Sequence, residues 1–155
     1  MKRVLVTVPA STSNLGSGFD TLGLAVNLHL SLEAELSGKP GVEVEPGSTN
    51  ADRAAPMVRE AFDLAAPAGM GLRVKLANDI PIGRGLGASA ALRVATIAAV
   101  SALAGEIWAP DRILELAYAL ERHPDNVSPA IFGGFTVSGW VQGRVQCQRF
   151  PVDPE

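Results

Sequence analysis

Residues 81–91 read Pro81-Ile82-Gly83-Arg84-Gly85-Leu86-Gly87-Ala88-Ser89-Ala90-Ala91, and this stretch is the most informative in the chain. Three glycines at alternate positions lead into a segment that is predicted to be a helix, apolar on every side. Glycine lets the backbone turn sharply and come close to a bound group. The first turn of a helix also offers unpaired N–H groups at the positive end of its dipole. The stretch therefore favours a phosphate-binding loop in front of a central helix, with close packing of the glycines as the alternative.

The segments on both sides of this loop predict an α+β fold. Strands are predicted at 4–8, buried on both faces, at 26–36 with one polar face, at 42–44 as a short antiparallel partner of the strand at 26–36, and at 72–76. Residues 10–20 are too small and polar for regular structure. Helices are predicted at 54–66, 88–104 and 110–121, a loop at 123–129, and a hairpin at 135–141 and 145–151. The predicted sheet is mixed or antiparallel, with helices mainly on one face.

Composition limits the function classes. The chain has 155 residues, 47% of them hydrophobic, and a formal net charge of −3. It fits one domain with a sizeable core. No basic run suits nucleic acid, and the most apolar segment, 88–104, is too short and alanine-rich for a membrane span. A single cysteine, Cys147, favours a reducing compartment, so we expect a cytoplasmic protein that binds neither nucleic acid nor membrane.

Two common phosphate motifs do not fit the glycine loop. A P-loop requires Gly-Lys followed by Ser or Thr, and no such lysine is present. Residues 85–90 satisfy the dinucleotide pattern G-x-G-x-x-A, and Glu106 lies about 20 residues further on. However, residues 78–81 separate the preceding strand from the glycines, and no second strand carries Glu106 to a ribose. The loop alone leaves nucleotide binding and simple packing open.

Two further segments identify a resemblance. Residues 9–20 read P-A-S-T-S-N-L-G-S-G-F-D, and residues 121–134 read E-R-H-P-D-N-V-S-P-A-I-F-G-G. Together with the glycine loop, and in the same order, they resemble the three motifs of the GHMP kinases, most closely of the homoserine kinases. The resemblance covers nearly the whole chain. It implies that residues 1–155 form a single N-terminal ATP-binding domain of the ribosomal protein S5 domain 2-like type, without the C-terminal domain of that family.

The resemblance also implies a site. ATP phosphates would be bound by Pro81, Gly83, Arg84, Gly85, Leu86, Gly87, Ala88, Ser89 and Ala90. Mg²⁺ would be held by Ser89 and Glu121, whose hard oxygens suit that cation. The small-molecule acceptor, homoserine or a related alcohol, would be bound by Asn14, Asp20, Asp125 and Asn126, with Asp20 and Asp125 as candidate catalytic residues. The implied reaction transfers the γ-phosphoryl group of ATP to the acceptor hydroxyl.

Several departures from the family pattern keep alternatives open. Ala88 stands where the family has a serine, Arg122 where it has a glycine, and Leu92 and Arg93 where residues are usually small. An arginine on a buried helix must reach the edge or find a partner. The leading interpretation is a homoserine-kinase-like phosphotransferase that is incomplete without a C-terminal half, supplied separately or replaced by a homodimer. The alternatives are a non-catalytic nucleotide-binding or interaction module and, less favoured, a domain whose glycines serve packing alone.

Overall fold

A computed structural model describes residues 2–152 as one six-stranded sheet with four helices. The strands are β1 (Arg3–Ser13), β2 (Leu22–Leu36), β3 (Gly41–Val44), β4 (Gly71–Asn78), β5 (Phe135–Val141) and β6 (Arg144–Phe150). The helices are α1 (Ala51–Ala65), α2 (Ala88–Ala104), α3 (Pro110–Glu121) and α4 (Pro124–Phe132). The predicted α+β class with a mainly antiparallel sheet is confirmed.

The long strand β2 organises the sheet. Strand β1 pairs antiparallel with it along one edge, with a bulge between Pro9 and Ala10. The other edge is shared, because β4 pairs with residues 30–36 of β2 and β5 pairs with residues 22–24. The strand order is β3-β4-β2-β5-β6, with β1 beside β2. This arrangement brings the end of β1 and the start of β5 to the same end of β2.

Period-two alternation places one face of the sheet in the core. Leu30, Leu32 and Ala34 are at most 2% exposed and pack with residues of the helices. The opposite face is open, and Leu5 on β1 is 68% exposed there. The prediction that the first strand is buried on both faces is therefore wrong. Its alternating residues divide between core and solvent because the helices cover only one side.

Helix α2 lies in the middle of the core, as its apolar sequence predicts. It spans the predicted residues, Ala88–Ala104, and ends at Gly105 in the left-handed conformation with φ of 92°. Helix α3 and the β5–β6 hairpin also match their predicted positions within a residue. None of the helices found within residues 2–152 is long and apolar enough to cross a membrane.

Three local predictions are corrected. Residues 123–129, predicted as a loop, lie mostly in α4, which begins at Pro124, since a proline is well tolerated in the first turn. Strand β3 pairs parallel with β4 instead of antiparallel with β2, because α1 forms the crossover between β3 and β4. Residues 10–13, predicted as irregular, continue β1 beyond the bulge and pair with β2.

Candidate active site

The glycine loop between β4 and α2 has a left-handed backbone at each of its three glycines. The φ angles of Gly83, Gly85 and Gly87 are 72°, 71° and 66°. A Cβ atom on Gly83 or Gly85 would meet nothing within 4 Å, so both face open space. A Cβ atom on Gly87 would overlap the Ser11 hydroxyl and lie 3.0 Å from Oδ1 of Asn126. Gly83 and Gly85 are thus needed for the left-handed backbone conformation alone, and Gly87 also allows the loop to pack closely against Ser11 and Asn126.

Hydrogen bonds tie this loop to β1 and α4. The backbone N–H of Ser11 donates to the carbonyl of Leu86 at 3.1 Å. The Ser11 hydroxyl donates to Oδ1 of Asn126 at 2.9 Å, and Nδ2 of Asn126 donates to the Ser13 hydroxyl at 2.9 Å. Sequence reasoning missed this role of the two serines. The only available signal was their alternate spacing, which puts both on one side of a strand.

A cavity of about 370 Å³ lies in front of the glycine loop. Of the predicted phosphate-binding residues, it is lined by Pro81, Gly83, Gly85, Leu86, Gly87, Ala88 and Ser89. Arg84 is exposed and Ala90 is buried, and neither is among the described residues that line it. Side chains from α1 and α2, including Arg53, Met57 and Leu92, form another part of the wall, and residues of β2, β4 and α4 complete it. The cavity combines backbone N–H groups at a helix start with an apolar wall.

A second, open cavity of about 210 Å³ brings together the predicted acceptor residues, Asn14, Asp20, Asp125 and Asn126, together with Glu121. Asn14 and Asp20 have positive φ angles of 59° and 55°, which Asn and Asp tolerate in turns. Oδ1 of Asp20 lies 2.9 Å from Nδ1 of His123.

Asp125 is the most buried member of this second group. It is 3% exposed, and its Oδ1 accepts the backbone N–H of Asn126 at 2.9 Å. This bond fixes the carboxylate in the first turn of α4. A buried carboxylate with so few donors retains capacity to accept further hydrogen bonds from a ligand.

The two cavities meet at a junction. Asn126 lines both of them, and Ser89 of the first cavity donates a hydrogen bond to Oε1 of Glu121 in the second, at 2.5 Å. One hydroxyl and one carboxylate are hard oxygen donors that suit Mg²⁺. Within residues 2–152, no three His, Cys, Asp or Glu side chains form a metal-binding group. A cation at the junction would therefore take most of its ligands from phosphate and water.

Arg93 also reaches this junction. Its Nη1 pairs with Oε1 of Glu121 at 2.5 Å, and its Nη2 pairs with Oε2 of Glu60 at 2.7 Å. Burial lowers the pKa of Arg93, but the hydrogen bonds to Glu60 and Glu121 outweigh that effect and raise the pKa above its usual value. The expectation that Arg93 finds a partner is confirmed.

Comparison with known proteins decides the family. Residues 51–134, more than half of the chain, match the GHMP kinases N terminal domain. The chain belongs to the GHMP kinase family. The matched region begins with α1 and ends after α4, so it includes the glycine loop, α2 and the residues of the junction.

Relatives of this GHMP kinase domain include homoserine kinases. The chain is 41% identical to the homoserine kinase of Moorella thermoacetica, over 97% of this chain and 53% of that protein. It is 43% identical to the homoserine kinase of Corynebacterium diphtheriae, over 95% of this chain and 51% of that protein. The crystal structure of homoserine kinase from Cytophaga hutchinsonii superposes with a TM-score of 0.78 at 27% identity, covering 99% of this chain and 53% of that chain. The chain thus spans about half the length of the relatives it matches.

Proposed function

We propose that this chain acts as the N-terminal half of an ATP-dependent kinase that phosphorylates the hydroxyl of homoserine. The observation that supports this most is the junction: a glycine-loop cavity and a carboxylate-rich cavity share Asn126 and are bridged by the Ser89–Glu121 hydrogen bond. Phosphoryl transfer depends mainly on placing two substrates in line and on neutralising charge. Two adjoining cavities of different character provide that placement.

ATP would lie in the first cavity with its phosphates against the glycine loop. The N–H groups of Ala88, Ser89 and Ala90 have no acceptor within α2, because they belong to its first turn. They and the helix dipole favour the negative triphosphate. Ser89 and Glu121 are the residues that would hold Mg²⁺, which when bound neutralises phosphate charge.

Homoserine would lie in the second cavity. Asp125 and Asp20 suit its ammonium group and hydroxyl, and the amides of Asn14 and Asn126 can donate to or accept from polar groups. In the transfer, the homoserine oxygen forms a bond to the γ-phosphorus while the bond between that phosphorus and the bridging oxygen of ADP breaks. Asp20, held by His123, directs the hydroxyl proton away from the attacking oxygen.

Two measurements test the proposal. Calorimetry with a nonhydrolysable ATP analogue should give saturable binding, with an affinity at least tenfold weaker in Gly87→Ala. An ADP-release assay should respond to homoserine, either with this chain alone or after addition of the C-terminal half of a homoserine kinase, because the chain spans half of its relatives. Absence of analogue binding at millimolar concentration would refute the proposal.

A second candidate is a nucleotide-binding module without turnover. The Arg93–Glu121 ion pair favours it, since it occupies an oxygen of the carboxylate that would hold the metal. This candidate predicts analogue binding with no ADP release under either condition, including with the added C-terminal half.

A further inference from the structure

We propose that Arg93 competes with the divalent cation for Glu121, so that this chain binds ATP with little dependence on Mg²⁺. This inference rests on the proposed nucleotide site and concerns how strongly ATP binding at that site depends on Mg²⁺. It comes from the Ser89, Arg93, Glu121 and Glu60 cluster, in which one carboxylate oxygen is shared between a hydroxyl and a guanidinium.

Helix geometry puts the competing groups on the same carboxylate. Ser89 and Arg93 are four residues apart on α2 and therefore lie on one face of it. The Ser89 hydroxyl and Nη1 of Arg93 both donate to Oε1 of Glu121. A cation that uses the Ser89 hydroxyl and Oε1 of Glu121 must share that carboxylate oxygen with a positive charge that is already bonded to it.

The guanidinium is anchored at its other end. Nη2 of Arg93 pairs with Glu60 on α1, and the Arg93 side chain is only 15% exposed. Its Nε is buried and has no hydrogen-bond partner within the described residues. An arginine held between two helices and enclosed in this way cannot swing into solvent without breaking both ion pairs.

Charge then determines the effect. An arginine keeps its proton at any ordinary pH, so a permanent cation, which Glu121 shares with Glu60, already offsets part of the negative charge of Glu121. A dication placed beside it gains less from Glu121 and is repelled by Arg93, and this repulsion is strong in a partly buried site. Mg²⁺ would therefore add little to the binding energy that the glycine loop provides.

The test measures the affinity of a nonhydrolysable ATP analogue by calorimetry, with Mg²⁺ and with EDTA. The ratio of the two dissociation constants is the Mg²⁺ enhancement. We expect less than threefold for the wild type and for Arg93→Lys, which keeps the charge. For Arg93→Met, which keeps most of the length of the side chain and removes the charge, we expect a Mg²⁺ enhancement at least ten times that of the wild type. In the double variant Arg93→Met/Glu121→Gln this gain should disappear.

The outcomes separate the two proposals. If the wild type does not bind the analogue under either condition, the proposed function and this inference both fail. If the wild type binds it and Arg93→Met has the wild-type enhancement, the inference alone fails. If Arg93→Met does not fold, Glu121→Gln is measured in its place. A Mg²⁺ enhancement that is large in the wild type and lost in Glu121→Gln would overturn the inference. An enhancement below threefold in both proteins supports it. Arg59→Ala, an exposed charge on α1, is the control for net charge and should match the wild type.

Discussion

The two cavities that meet at Asn126 are built from different parts of the chain. In the glycine-loop cavity, Gly83 and Gly85 face open space and present backbone. In the carboxylate-rich cavity, the polar groups belong to side chains, and Asp125 is fixed by burial and a hydrogen bond. A backbone site tolerates a change such as Ala88 in place of serine, because the N–H group is kept. A side-chain site depends on each residue, so substitutions there have more specific effects.

The largest effect is expected where the two regions touch. In Gly87→Ala, the added methyl group overlaps the Ser11 hydroxyl. The alanine must also adopt the left-handed backbone conformation, with φ of 66°, which a residue with a Cβ atom disfavours. We expect a loss of about 3 kcal/mol in unfolding free energy and at least a tenfold weaker affinity for the ATP analogue, measured by denaturation and calorimetry.

Gly83→Ala is the matched control for Gly87→Ala. It has a similar φ but open surroundings, so it should cost only about 1 kcal/mol. Removing the overlapping hydroxyl with Ser11→Ala should restore part of the stability of Gly87→Ala. Equal losses for the two glycine variants, or no rescue by Ser11→Ala, would contradict the packing role given to Gly87.

The next effect concerns the hydrogen bonds that join Asn126 on α4 to β1. Asn126→Ala removes the hydrogen bond that the Asn126 side chain accepts from Ser11 and the one that it donates to Ser13. The bond from the Ser11 hydroxyl to the backbone carbonyl of residue 126 is kept. We expect it to lower the unfolding free energy by about 2 kcal/mol, measured by urea denaturation. Ser13→Ala removes one of these bonds and should cost about half as much. If both variants cost the same, the Ser11–Asn126 bond contributes nothing measurable.

A smaller effect is expected between α3 and the carboxylate-rich cavity. Arg122 ends α3 with a φ of 66°, a conformation that favours glycine. Arg122→Gly should stabilise the chain by about 0.5 kcal/mol, the relief of the left-handed strain less the entropy that glycine adds to the unfolded chain. Gly105→Ala, at the equivalent end of α2, should destabilise it in the same thermal unfolding experiment. A loss of stability in Arg122→Gly would mean that the arginine side chain makes a stabilising contact.

The smallest effect lies on the open face of the sheet, away from both cavities. A hydrogen bond from Arg3 lowers the pKa of Glu35. Desolvation of the carboxylate raises this pKa, and the positive charge of Arg73 lowers it further. Because the folded pKa is below the unfolded one, this pair stabilises the fold above the unfolded pKa and stops doing so as the pH falls through the folded pKa. In Arg3→Ala, NMR titration should show the pKa of Glu35 moving up towards its usual value. Analogue affinity should not change; if it does, the two faces of the sheet are coupled.

Local sequence signals were enough to predict much of the fold. Helix α2 begins after a glycine loop and ends at Gly105, and the turn at Gly143 marks the last hairpin. The short helix α4 was missed because its two prolines resemble a loop signal. Pro124 occupies the first turn, and Pro129 is tolerated inside the helix because burial of residues such as Val127 and Ala130 compensates for the missing N–H.

Long-range features could not be predicted in the same way. The parallel pairing of β3 with β4 depends on the path of α1, and no pattern within residues 42–44 encodes it. The resemblance to GHMP kinases assigned Asn14, Asp20, Asp125 and Asn126 to acceptor binding. The fold brings these four residues to one cavity, and their roles remain predictions. The position of Arg93 suggested a partner, yet only the fold shows that the partners are Glu60 and Glu121.

The bond between Ser11 and Asn126 joins residues that are 115 positions apart. Contacts of such long sequence separation form late, because a large loop must close before they contribute energy. A nascent chain that has already completed the glycine loop would still lack α4, against which Gly87 packs. The glycine loop thus reaches its fixed arrangement only after the chain has been extended beyond Asn126, more than a hundred residues after Ser11.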